Sequence, residues 1–153
     1  MSWRAREGQR HLLSAMTPSD IPDTLILVVD DFDDIRFSLR RLLEMRGYGV
    51  VEARDGREAV SVAIAKRPDL ILMDLFMPRQ DGFAAAREIK QDEGLRDVPI
   101  IAVSAYGELG IEGRLQHDAH AAGFTEYVAK PFDSDELLEL IARLLGQTNS
   151  PPL

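Results

Sequence analysis

Leu25–Asp31 reads LILVVDD, Leu70–Asp74 reads LILMD and Ile100–Ser104 reads IIAVS. In each, an unbroken apolar run ends at once in a carboxylate or a hydroxyl. A run apolar at every position, not every second one, fits a strand covered on both faces, which is the condition of a parallel sheet. Weaker runs at Val50–Ala53 and Tyr127–Ala129 complete five predicted strands. The segments between them repeat at helical spacing. Ile35, Leu39, Leu42 and Leu43 form one stripe, Ala59, Val60, Ala63 and Ile64 a second, and Leu137, Leu140, Ile141, Leu144 and Leu145 another. Asp55 with Glu58, and Asp133 with Glu136, have capping-box spacing, in which the later acid reaches back to the cap amide. Gly146 suits the position just past a helix end. Five strands alternating with five helices predict an α/β domain with a doubly wound parallel sheet and right-handed crossovers.

Around this alternation the chain is short and acidic. Its 153 residues hold 18 Lys+Arg against 26 Asp+Glu, a formal charge of −8, and no cysteine. That length fits one domain of ordinary size, large enough to fold without a metal or disulfide staple. The missing cysteines exclude a disulfide scaffold, a thiolate metal site and a cysteine nucleophile. The acidic excess argues against nucleic acid and anionic membrane as partners. No apolar run approaches the roughly 20 residues of a spanning helix. The balance predicts a protein of the reducing cytoplasm. Residues 1–24 lack a sustained apolar period and read as a flexible extension, with Met16 a second candidate start. Residues 147–153 (QTNSPPL) read as a frayed tail, leaving residues 25–146 as the domain.

The polar residues that end the runs carry the chemistry. Asp30 and Asp31 follow the first strand, Asp74 the third, Ser104 the fourth and Lys130 the fifth. In an open parallel sheet, ligands bind beyond the carboxyl ends of the strands. Any one of these residues alone is an ordinary cap or turn residue; their coincidence at one edge is not. Three carboxylates in one place repel unless a cation lies between them. With oxygen ligands only, Mg²⁺ is the natural occupant, since it takes one or two carboxylates and leaves positions for phosphate oxygens. Lys130 and Ser104 would hold further phosphoryl oxygens, and the fitting reaction is phosphoryl transfer onto a carboxylate.

VVDD at 28–31, MDLFMPRQDGF at 73–83, VSA at 103–105 and EYVAKPF at 126–132 together resemble the receiver domain of two-component response regulators. The resemblance implies a CheY-like, flavodoxin-like sheet in the order 2-1-3-4-5. It implies Asp74 as the phosphoacceptor, with Asp30, Asp31, Asp74 and the backbone carbonyl of Phe76 holding Mg²⁺ or Mn²⁺. By the same resemblance Ser104, Ala105 and Lys130 meet the phosphoryl group, Tyr127 is a switch aromatic, and the Lys130–Pro131 peptide is cis. Phe76 and Tyr106 would flank the acyl phosphate and shield it from water. The implied partners are a histidine kinase or histidine phosphotransfer protein and a downstream protein, met through the fourth helix, fifth strand and fifth helix. The chain would be a monomer or weak homodimer.

Some features lie outside this pattern. YGELGIEG at 106–113 predicts an extended loop before the fourth helix, and its GxxGxxG spacing is not that of a dinucleotide fold. His117 and His120 have no third ligand and read as solvated surface. Arg36, Arg40 and Arg41 read as a solvated face of the first helix. Two alternatives stay open. One is a receiver fold that serves as an interaction module without phosphorylation, which the complete acid, hydroxyl and lysine set disfavours. The other, a phosphohydrolase with an aspartate nucleophile, wants a second Asp two residues on, where this chain has Phe76. Because a receiver and two tails use up the length, the sequence predicts a stand-alone regulator.

Overall fold

A computed structural model describes residues 24–77, 79–105 and 112–146, with the backbone alone at 112–116. Residues 1–23 of the predicted extension, with Met16 among them, Tyr106, the loop glycines Gly107 and Gly110, and the tail at 147–153 lie outside the described residues. Thr24, the last residue of that extension, is buried against β2 and accepts from the Gly49 amide at 2.8 Å. Within them, β1 (Leu25–Val29), β2 (Gly49–Ala53), β3 (Leu70–Met73), β4 (Ile100–Ser104) and β5 (Glu126–Ala129) alternate with helices. These are α1 (Asp33–Glu44), α2 (Gly56–Lys66), α3 (Gly82–Lys90), α4 (Glu112–Ala122) and α5 (Ser134–Leu144). The sheet is parallel throughout, in the order β2-β1-β3-β4-β5.

Strand alternation sorts the apolar runs into two cores. Ile26, Val28, Leu70, Leu72, Ile101 and Val103 face α1 and α5, meeting Leu39, Leu43, Leu137, Leu138 and Ile141. Leu27, Val29, Ile71, Met73, Ile100 and Ala102 face α2, α3 and α4. Every residue of β1, β3 and β4 is buried, which is why those runs carry no polar alternation. The inward face of α2 and α3 is built largely from alanines, Ala59, Ala63, Ala85 and Ala86, with Val60 and Ile89.

Some local expectations differ from what the molecule does. Ile64 sits at the rim of the α2 stripe and is 44 % exposed, while Leu138, outside the predicted α5 stripe, is buried. Glu58 reaches past the cap and accepts from the Arg54 amide at 3.2 Å, although Asp55 does cap α2 through the Glu58 amide at 2.8 Å. Gly113, predicted in the loop, lies inside α4. Arg36, predicted on a solvated face, is buried; its charge is met by acceptors on three separate segments, so the helix can turn it inward. Asp133 caps α5 by accepting from the Asp135 and Glu136 amides, and Gly146 takes a φ of +75° beyond the helix end.

Candidate functional site

Register brings the polar strand ends together. Val29 lies opposite both Ala53 and Met73, so Asp30 and Asp74 leave the sheet side by side. The Asp74 amide donates to the Val29 carbonyl at 3.0 Å and the Asp30 amide to the Ala53 carbonyl at 3.2 Å. On the other side, Ser104 lies opposite Ala129, and the Lys130 amide donates to the Ser104 carbonyl at 3.0 Å. Hydrogen bonding thus carries β1, β3 and β5 one step beyond their last regular residues, bringing Asp30, Asp74 and Lys130 to the edge where Ser104 ends β4.

The side chains then bond to one another. Lys130 Nζ donates to Asp30 Oδ2 at 2.9 Å and to Asp74 Oδ2 at 3.2 Å. Ser104 Oγ donates to Asp74 Oδ1 at 3.0 Å, and the Phe76 amide donates to that same oxygen at 3.2 Å. Asp30 Oδ1 accepts from the Phe32 amide at 2.9 Å. Asp30, Asp74 and Ser104 are buried. Burial pushes the Asp30 carboxyl above its ordinary range, with the Lys130 ammonium and the Phe32 amide pulling the other way. Burial also works against the Lys130 charge, but the Asp30 and Asp74 carboxylates outweigh it and hold that ammonium above its usual value.

Asp31 completes the cluster. Asp30, Asp31 and Asp74 each offer a carboxylate oxygen within 4.8 Å of the others. Asp31 Oδ1 is buried and has no hydrogen-bond partner among the described residues. A buried carboxylate oxygen without a donor is costly, and its place beside two further acids and one ammonium suits a hard cation. The donor set therefore fits a divalent metal with oxygen ligands.

The loop that carries Asp74 is held at close quarters. Asp81 caps α3 by accepting from the Ala84 amide at 2.8 Å, and the Gly82 amide donates to the Leu75 carbonyl at 2.9 Å. A Cβ at Gly82 would stand 2.3 Å from the Asp74 carbonyl oxygen, so only glycine lets α3 begin there. Arg79, at φ +68°, pairs with the buried Asp55 at 3.2 Å, and the Gly56 amide donates to the Gln80 carbonyl at 3.1 Å.

The other residues singled out in the sequence have mixed placements. Phe76 is half-exposed beside Asp74, edge-on to Phe83 with ring centroids 6.2 Å apart. Ala105 is exposed at the end of β4, and the Lys130–Pro131 peptide is cis. Tyr127 is half-buried on β5 opposite Ala102, with its ring against the core beneath α4. His117 and His120 are exposed on α4, away from the acidic cluster. Reading along the chain missed Arg36, whose Nη1 donates to the Asp30 carbonyl at 2.9 Å. One signal for it was present: Glu52 is a charged residue in a strand whose neighbours are apolar, and such a residue calls for a cation from the helix packed over it.

Comparison with known proteins agrees with this geometry. Residues 26–142 match the response regulator receiver domain. The polar-differentiation response regulator DivK of Brucella anthropi is 34% identical over 126 residues, covering 82% of this chain and 98% of that protein. The DNA-binding dual master transcriptional regulator RpaA of Synechocystis is 35% identical over 127 residues, covering 83% of this chain and 51% of that protein, so the chain spans about half its length. Among solved structures, the receiver domain of a sensor histidine kinase from Pseudomonas aeruginosa superposes with a TM-score of 0.73 at 37% identity, over 81% of this chain and 98% of that one. That structure holds a magnesium ion in its active-site cleft. A chemotaxis response regulator of Vibrio cholerae gives a TM-score of 0.73 at 30% identity, over 79% of this chain and 98% of that one.

Proposed function

The chain belongs to the response regulator receiver family, and from that membership we propose that it is a phosphorylation-controlled binding switch with Asp74 as its phosphoacceptor. The observation that carries this reading is the pairing of Asp74 with Ser104 at 3.0 Å and Lys130 at 3.2 Å beside the unpartnered Asp31 oxygen. A carboxylate flanked by a hydroxyl, an ammonium and a place for a cation can accept a phosphoryl group and then hold its oxygens.

In the proposed reaction, an Asp74 carboxylate oxygen forms a bond to phosphorus while the bond from phosphorus to the donor imidazole breaks. The imidazole leaves with the electron pair and is reprotonated. Asp30, Asp31, Asp74 and the Phe76 backbone carbonyl would hold Mg²⁺ or Mn²⁺, which when bound neutralises the charge of the incoming phosphoryl group. Lys130, already drawn to Asp74, holds a phosphoryl oxygen as a point charge. Ser104 now donates to Asp74 Oδ1, and it exchanges that acceptor for a phosphoryl oxygen, drawing Ala105 with it. Tyr127, on the neighbouring strand, follows into the space released, and the surface of α4, β5 and α5 changes for a partner protein. The same groups govern loss of the phosphoryl group to water. The donor is a histidine kinase or phosphotransfer protein in the cytoplasm, and residues 25–146 are the working unit, as a monomer or weak homodimer.

Incubation with Mg²⁺ and acetyl phosphate tests this reading by intact mass. One added phosphoryl group in the wild type, absent in Asp74→Asn, is the expected result. A wild type that takes up no phosphoryl group and does not respond to beryllofluoride would make the chain a phosphorylation-independent interaction module.

A further inference from the structure

Arg36 stands in the first turn of α1, yet its side chain is only 11% exposed. The guanidinium spreads over three segments. Nε donates to Glu52 Oε1 on β2 at 2.9 Å, Nη2 to Asp33 Oδ1 at 2.6 Å, and Nη1 to the backbone carbonyl of Asp30 at 2.9 Å. Glu52 is itself gripped from the other side, its Oε2 accepting from Arg40 Nη1 at 2.6 Å. Two carboxylates therefore orient the planar fork and leave one N–H aimed at the Asp30 carbonyl. A fork meets these acceptors from three separate nitrogens with fixed donor directions, whereas an ammonium offers its donors from a single point.

That carbonyl belongs to the peptide unit joining Asp30 to Asp31. The Asp30 amide is tied to Ala53 on β2, so both ends of the Asp30 backbone are hydrogen-bonded. The plane of the Asp30–Asp31 peptide sets the direction in which the Asp31 side chain leaves. No hydrogen bond among the described residues holds Asp31 Oδ1 in its buried position. The backbone sets the direction in which the Asp31 Cβ leaves, and with it the region the carboxylate can reach. We propose that Arg36 is a positioning residue for the metal site: by holding the Asp30 carbonyl it keeps the Asp31 carboxylate turned into the acidic cluster. This rests on reading that cluster as a divalent-cation site.

Mg²⁺ affinity, measured by isothermal titration calorimetry on the full chain, tests it. Partners that orient metal ligands typically change affinity 10–100-fold when removed, so R36M is expected to weaken Mg²⁺ binding by about ten-fold or more. The Mg²⁺ concentration for half-maximal labelling by acetyl phosphate should rise by the same factor, with the rate at saturating Mg²⁺ unchanged. E52Q takes the charge from one of the two carboxylates that orient the fork, but it keeps an acceptor oxygen for Nε and leaves Asp33 to hold Nη2, so the bond to the Asp30 carbonyl stays aimed. It should lower thermal stability in EDTA while keeping Mg²⁺ affinity within about three-fold of wild type. R36K keeps the charge without the fork and should bind Mg²⁺ at least about three-fold more weakly than wild type. Equal affinity in wild type and R36M, or, if R36M does not fold, equal affinity in wild type and a folded R36K, overturns the proposal. So does an E52Q loss as large as that of R36M, which would make the effect one of general stability. A wild type that binds no Mg²⁺ removes the metal reading itself, and is thereby distinguished from failure of the positioning role.

Discussion

Asp31 and Gly82 show opposite ways in which one residue serves the site. Asp31 keeps a buried carboxylate oxygen with no donor, beside two more acids, and such a group subtracts from stability until a cation meets it. Asp31→Asn is therefore expected to stabilise the metal-free chain by about 1 kcal/mol in urea denaturation with EDTA present. A variant less stable than wild type under those conditions would contradict this account. Gly82 instead contributes by what it lacks. Its Cα lies so near the Asp74 carbonyl that a methyl group would force the backbone apart, with Leu75 Cα a further 2.9 Å neighbour of the added carbon. Gly82→Ala should lose about 2 kcal/mol of stability, read from the urea midpoint, and should accept a phosphoryl group more slowly because Asp74 moves with the displaced loop.

The helix α1 and the strand β2 are joined by charge as much as by apolar packing. Arg36 and Arg40 share the Glu52 carboxylate, at 2.9 Å and 2.6 Å. Burial alone would raise the Glu52 carboxyl, but Arg40 and Arg36 outweigh it and hold it below its ordinary 4.5. A carboxyl with a lowered folded pKa contributes stability that is complete above its unfolded value and is lost as pH falls through the folded one. The melting-temperature gap between wild type and Glu52→Gln should therefore be open at neutral pH and narrow as the pH falls below the ordinary glutamate range and through the lowered folded value. A gap that stays constant across that range would mean that shape, not charge, joins the two elements. The first helix also shows how far periodicity reaches. Its stripe of Ile35, Leu39, Leu42 and Leu43 does face the sheet, yet the same spacing is silent about Arg36 next to it.

Taken whole, the molecule places a repulsive acidic cluster on top of a sheet packed on both faces, and metal binding should be felt as global stability. Mg²⁺ at about 100 times its dissociation constant should add about 2.7 kcal/mol to unfolding. In a chain of this size that corresponds to a melting temperature higher by roughly 5–10 °C. EDTA should reverse the shift, and Asp31→Asn should show none of it; a melting temperature indifferent to Mg²⁺ in the wild type would argue against the cluster as a metal site. Among the described residues no helix is long and apolar enough to cross a membrane.

Strand and helix order, the two-sided burial of the central strands and the polar residues at their ends were all legible along the chain, because each depends on neighbours within a few positions. Periodicity and the composition of a short run carry that information. The cluster could be foreseen for a related reason: in a parallel sheet the carboxyl ends of all strands share one edge, whatever the strand order. Distances had to come from the folded molecule. Arg36 to Asp30 and Glu52, Arg79 to Asp55, Gly82 against Asp74 and the buried oxygen of Asp31 depend on register and on how loops settle. Such contacts join residues on different elements, and whether a charge such as Arg36 turns outward or inward is decided by the acceptors waiting beneath it, which no local pattern records.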